Sequence, residues 1–242
     1  PISGGTFYRQ PTKRGELPLV LSIQDLGAAA GANRYRLINW TTSGTSTNFT
    51  SRIRSNTTYA RSSLPTMCDF ESGYGATVSS NSLDTVYVGE NITGYNVWTG
   101  EKLWSVNLSE PMYSMFCDVA DHGKVATLTA FGHYVCYDLV TGKKLWTSED
   151  FDYPWSSSGF GGYTAFSAYG LIIREAYDGV YGINWTNGKI EWHYVAPAAA
   201  PYETPYIDGN GTTVMPFYSF GVGGIIADGK FFTWNYEHTE SW

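Results

Sequence analysis

The chain has 242 residues, 43% hydrophobic and 17% aromatic with only 15% charged, enough for one large or two modest domains around a buried core. Long disordered or coiled-coil regions are excluded by that composition. The net charge of −7, with 15 Lys and Arg forming no run longer than a pair such as Lys143 and Lys144, repels a phosphate backbone and excludes nucleic acid as a partner.

No stretch reaches the roughly 20 apolar residues that cross a bilayer, so no membrane span is expected within this chain. No signal-peptide pattern is read in these residues, and a start at Pro1 rather than Met reads as a processed or excised piece of something longer. In chain order, residues 1–70 carry no repeat. Strands are predicted at 18–23 (PLVLSI) and 35–40 (YRLINW), with a flexible connector at 27–33. This region is expected to form an N-terminal arm or an atypical blade. Residues 71–242 are different, because a nine-residue unit returns in them three times.

The unit is NVWTGEKLW at 96–104, DLVTGKKLW at 138–146 and NWTNGKIEW at 184–192. Its glycines, Gly100, Gly142 and Gly188, stand 42 and then 46 residues apart, and Trp104, Trp146 and Trp192 keep the same intervals. Periods of about 40 to 50 residues are those of four-stranded propeller blades. A strand such as 134–137 (YVCY) runs into Asp138, whose carboxylate can accept backbone N–H groups and start a turn. Gly142 falls where a bulged hairpin needs positive φ. Trp146 on the return strand offers a flat face for packing between blades. Hairpin turns leading into short apolar strands are predicted at His122, Tyr169 and Asp228, each followed by glycine, and the segment from Asn81 to Gly89 is expected to be their counterpart before the first unit. Residues 150–162 and 196–211 read as long aromatic loops, and no amphipathic helix is predicted. The expected fold is therefore all-β: a β-propeller of four-stranded antiparallel blades, about three blades plus the start of another, too few to close a ring.

These units resemble the quinoprotein-like (PQQ-like repeat) propeller family. They are also similar to the repeats of a non-enzymatic relative, the outer-membrane barrel-assembly lipoprotein, and to archaeal surface proteins built from such repeats. The resemblance covers roughly residues 75–242 and implies a fold rather than an activity. Enzymes of that family hold the quinone over a Trp floor with calcium and a disulfide between consecutive cysteines. Cys68, Cys117 and Cys136 are not consecutive, and no calcium ligands or catalytic carboxylate can be placed on this sequence. No cofactor and no catalytic residue are expected.

Seven of the twelve asparagines begin Asn-x-Ser/Thr: Asn39, Asn48, Asn56, Asn91, Asn107, Asn184 and Asn210. This exceeds the roughly two or three that chance supplies and points to N-linked glycans on an extracellular or cell-surface protein. Asn39, Asn48 and Asn56 lie in a polar, turn-rich stretch. Asn184 has another use in the turn. Cys117 and Cys136 form a disulfide if their strands are neighbours; the alternative is three small buried hydrophobes.

The histidines His122, His133, His193 and His238 lack metal-ligand spacing. Asp208 to Thr212 imitates a calcium loop, but its twelfth place is Ser219, so a tight hairpin is expected. The glycine pairs near Gly161 and Gly223 do not lie between a strand and a helix and make no phosphate cradle. Glu149, Asp150 and Asp152 beside Tyr153 and Trp155 read as a solvated loop before a sugar site or a carboxylate pair. Two functions follow. One is a glycosylated surface scaffold that binds other chains or the rest of its own propeller, as in a surface assembly. The other is a fragment of a quinoprotein-type dehydrogenase, or another propeller enzyme, with its site in loops or missing blades.

Overall fold

The computed structural model describes residues 2–8, 19–44, 47–83, 86–108, 110, 118–129, 131–151, 165–176, 179–195, 224–234 and 239–241. They form antiparallel meanders in which each strand pairs with the next along the chain. The first blade contains β1 (Ile2–Tyr8), β2 (Leu19–Asp25), β3 (Tyr35–Thr41) and β4 (Ile53–Tyr59). The second contains β5 (Met67–Asp69), β6 (Tyr74–Leu83), β7 (Val86–Asn96) and β8 (Lys102–Asn107). The third contains β9 (Val119–Asp121), β10 (Lys124–Leu128), β11 (Tyr134–Asp138) and β12 (Lys144–Thr147). The fourth contains β13 (Ala165–Ala168), β14 (Leu171–Ala176), β15 (Gly179–Asn184) and β16 (Ile190–Val195). The fifth has three described strands, β17 (Ile225–Ala227), β18 (Lys230–Trp234) and β19 (Thr239–Ser241).

The fold is an all-β propeller whose described blades do not close a ring. First strands lie side by side, β5 against β9 and β9 against β13, which puts them innermost. Burial follows position within a blade. Tyr134, Val135, Cys136 and Tyr137 of β11 are all buried, because a middle strand has a neighbouring blade on both faces. The outermost β12 is exposed except at Trp146. The apolar cores accordingly lie between blades. Met67, Ala76 and Ile92 of the second blade meet Val125, Val135 and Leu139 of the third. Ala126, Tyr134 and Cys136 meet Ile172, Tyr181 and Trp185 across the next seam.

The two strands predicted before residue 41 are β2 and β3. The connector at 27–33 belongs to the turn between them and contains a 3-10 segment, Ala28–Asn33. Asp25 fastens that turn through a paired contact with Arg34 at 2.9 Å, which holds its carboxyl below the usual carboxylate range.

One expectation is corrected. His122, Tyr169 and Asp228 occupy the left-handed region (φ 54°, 54° and 49°) ahead of glycines, as two-residue hairpins require. Their counterpart in the second blade is the four-residue turn ending at Gly73, not the segment from Asn81 to Gly89. The Gly73 carbonyl receives the Val97 N–H at 2.9 Å, as the Gly123 carbonyl receives that of Leu139. Asn81 and Gly89 instead lie near the tip of the longer β6–β7 hairpin.

Candidate functional site

The three repeat units fold into one turn. Asn96, Asp138 and Asn184 each accept an N–H two residues ahead on the side-chain oxygen, at 2.9, 3.0 and 2.7 Å. Their carbonyls accept the N–H of Gly100, Gly142 and Gly188 at 2.8, 2.9 and 2.9 Å. These glycines adopt φ of 74°, 72° and 74°, the conformation the spacing predicts.

The residue after each Asx plugs the seam behind its blade. Val97, Leu139 and Trp185 are buried, and their N–H groups bond the hairpin carbonyls of Gly73, Gly123 and Gly170. The preceding blade closes over two of these plugs. The Trp104 indole donates to the Leu139 carbonyl at 2.8 Å, and the Trp146 indole to that of Trp185 at 3.0 Å. Both rings lie flat on the next glycine: a Cβ on Gly142 would stand 2.6 Å from the Trp104 ring, and one on Gly188 2.5 Å from that of Trp146. Trp104 and Trp146 are therefore equivalent. Trp192 shares their place against its own blade, where a Cβ on Gly182 would meet it at 2.3 Å. Its face toward the fifth blade differs, because no carbonyl accepts its indole N–H among the described residues.

Several seam residues escaped sequence reading. Tyr59 closes the Gly100 turn in the role of the tryptophans, with a buried hydroxyl that has no hydrogen-bond partner among the described residues. Gly94, Cys136 and Gly182 face the tryptophans from the third strand of each blade. Their common signal is a small residue two places before the Asx. The buried Asp69 accepts the Gly123 N–H at 2.7 Å across a seam. At the matching place Asp121 receives the Ser167 hydroxyl, which in turn accepts the Trp185 indole at 2.9 Å.

The other singled-out residues are dispersed. His133 holds Glu110 on one ring nitrogen at 2.8 Å and Asp150 on the other at 2.9 Å. Glu149 accepts the Ile190 N–H at 2.9 Å. These two acids of the expected cluster therefore brace loops, while Asp152, Tyr153 and Trp155 lie outside the described residues. His122 faces the Trp185 ring edge-on, and His193 stacks on Tyr181 at 3.9 Å. His238, Asp208 to Thr212, Gly161 and Gly223 are outside the described residues. So is Cys117, one end of the expected disulfide. Cys136 is a fully buried free thiol, and burial pushes it up to about 12, as it does Cys68.

Among the sequon residues, Asn48, Asn56 and Asn107 are exposed, whereas Asn39 and Asn91 are half-buried. Asn184 spends its amide nitrogen on Glu191 at 2.8 Å. Asn210 is outside the described residues.

None of Trp104, Trp146 and Trp185 offers a free face to a quinone. The flat faces of Trp104 and Trp146 are covered by turn glycines, and Trp185 is buried in a seam core. No group of three His, Cys, Asp or Glu among the described residues could hold a metal ion.

A cavity of about 290 Å³ lies among the described residues of the fourth and fifth blades. Tyr169, Leu171, Ile173 and Trp192 form one wall, and Gly229, Lys230 and Phe231 the other. It is an apolar, aromatic slot suited to a bulky apolar group.

No curated protein matches the chain. Among solved structures it is similar to BamB from Moraxella catarrhalis, at 15% identity and a TM-score of 0.46, over 90% of this chain and 60% of that one. It is also similar to two computationally designed proteins. Ika8 matches at 10% identity and a TM-score of 0.44 over all of this chain and 70% of its own. Ika4 matches at 12% and 0.41 over 65% of this chain and 82% of its own. Residues 88–230 match the PQQ-repeat family described as outer membrane protein assembly factor BamB. That match spans more than half of the chain and contains all three turn units, and the chain belongs to this family.

Proposed function

We propose that the chain is a non-enzymatic, protein-binding scaffold displayed outside the cell, N-glycosylated and part of a surface assembly. The observation that carries this reading is the apolar slot beside Trp192, lined by Tyr169, Leu171, Ile173 and Phe231. An apolar slot between rigid blades, with no carboxylate, histidine or thiol among its lining residues, suits docking of an apolar side chain. Trp104, Trp146 and Trp185 are spent on packing, and the acidic residues Glu149 and Asp150 on bracing contacts, which supports a scaffold over a dehydrogenase. Membership in a family described as an assembly factor supports the same reading. Asn48, Asn56 and Asn107 are the favoured glycan sites, because an acceptor asparagine must present its amide to solvent.

Mass spectrometry of the native protein with and without glycosidase tests the compartment. Native mass spectrometry of the same sample tests the assembly. Glycan mass at exposed sequons and a complex larger than one chain are the expected results. A bare monomer whose absorbance or melting changes with added quinone and calcium would instead identify a dehydrogenase fragment.

A further inference from the structure

We propose that Phe49, held against Trp40, is the seat on which the first sugar of a glycan on Asn48 rests. Phe49 is 68% exposed, the most of any large apolar side chain among the described residues, and it stands outside the core around Leu21 and Leu37. Its ring is nonetheless fixed. It meets the Trp40 ring edge to face, with centroids 5.7 Å apart and planes at 74°, an attractive arrangement. Trp40 is fixed in turn by its indole N–H, which the Ser22 hydroxyl accepts at 3.0 Å. The first blade thus presents an aromatic surface to water in one orientation.

The turn that carries Phe49 also fixes Asn48. The Asn48 side-chain oxygen accepts the Thr50 N–H at 3.1 Å. Its carbonyl accepts the Ser51 hydroxyl at 2.7 Å and the Ser51 N–H at 3.2 Å. Arg52 ties the same turn to the Gly44 carbonyl at 2.8 Å. The exposed amide of Asn48 is therefore held in one orientation, on the residue next to the phenyl ring.

Three acceptor triplets carry an aromatic middle residue, namely Trp40 after Asn39, Phe49 after Asn48 and Trp185 after Asn184. Trp185 is buried in a seam and Trp40 is half-buried, so only Phe49 offers its ring to solvent. Asn39 is not the source of the sugar. It is half-buried and pairs with the fully buried Leu21, on the face of β3 opposite to Trp40. A pyranose suits this seat because one of its faces carries C–H groups, which pack flat on the negative face of a phenyl ring while the hydroxyls stay in water. Tethered to the neighbouring residue, the sugar meets the ring intramolecularly and needs little affinity of its own.

The seat rests on the reading of a glycosylated surface protein, and its test separates the two. Glycopeptide mapping of the native protein should find a glycan on Asn48. The chain is then made in a glycosylating host and in bacterial cytosol, each as the natural sequence and with Phe49→Ala. The glycan should raise the melting temperature of the natural chain by about 2 °C or more, and that of Phe49→Ala by less than half as much. Phe49→Trp, which keeps a flat face, should retain the gain. Without glycan, Phe49→Ala should melt within about 1 °C of the natural chain, because the ring is mostly in water. In NMR spectra of the glycosylated chain, protons of the first sugar on Asn48 should lie upfield, and Phe49→Ala should abolish that shift. Equal gains with and without Phe49, or glycans on Asn56 or Asn107 with none on Asn48, overturn the seat and leave the surface reading standing. A native protein bare at every sequon overturns both.

Discussion

At Gly142 two demands fall on one carbon. Its φ of 72° is strained for any side chain, and a Cβ would stand 2.6 Å from the Trp104 ring. Gly123 has the same conformation (φ 70°) but nothing within 4 Å of a Cβ. Gly142→Ala should therefore cost about 2–4 kcal/mol, the sum of left-handed strain and overpacking, and Gly123→Ala only about 1–2 kcal/mol. Urea denaturation of both variants checks the difference. Equal losses would mean that the Trp104 face is not pressed on the turn. Tyr59 gives the opposite sign. Its hydroxyl is buried without a partner among the described residues, so Tyr59→Phe should be neutral or stabilising by up to about 1 kcal/mol in the same assay. Asp118 supplies a pH dependence. Burial pushes its carboxyl up to about 7, although the Leu128 N–H and the Arg174 charge pull it down. Between about pH 4 and 7 the folded chain holds a proton that the unfolded chain has released. Stability therefore falls as pH rises through that window, by at most about 1.4 kcal/mol per unit for one proton, and levels off above it. Asp118→Asn should flatten this slope relative to the natural chain in thermal melts across the window.

Among the elements, the return strands do the work of joining blades. β12 is mostly exposed, yet Trp146 reaches from it into the next seam and bonds the Trp185 carbonyl. Trp146→Ala removes the ring and the bond and should cost about 3–5 kcal/mol. Trp146→Phe keeps most of the packing and should cost about 1–2 kcal/mol, the share of a buried hydrogen bond with one partner removed. This level was the most legible in sequence, because turn glycines and indoles must recur at one phase if identical seams are to form. The Asx turns, the hairpins at His122, Tyr169 and Asp228, and β2 and β3 could all be read from residue type and spacing. Tyr59 could not, since a tyrosine in a polar strand carries no mark of its partner Gly100. The hairpin before the first unit was misplaced for a related reason. Its turn has four residues instead of two, while Asn81 and Gly89 imitate turn chemistry within a long hairpin.

Across the whole molecule, stability should behave as a chain of neighbours, since no blade covers the faces of its own middle strands. The seam between the third and fourth blades is the most heavily bridged one described. Trp185 takes the Trp146 indole, the Lys124 ammonium and, through Ser167, the Asp121 carboxylate, while Glu149 reaches the Ile190 N–H. Beyond the Trp146 ring, expected to pack between blades, this cross-seam wiring was not legible beforehand, because it joins residues 41 to 61 places apart whose types are unremarkable in isolation. It implies that cooperativity can be cut at one place. In Trp146→Ala, amide exchange should quicken across β14 and β15, which lose a wall, and across β10 and β11, which lose the other. β2 and β3 pack in a separate core around Leu21 and Leu37 and should keep their protection. The expected denaturation curve is then broadened or split into two steps where the natural chain gives one. Uniform loss of protection from β2 to β15 would instead mean that the blades unfold as a single block, and that nearest-neighbour packing does not govern this propeller.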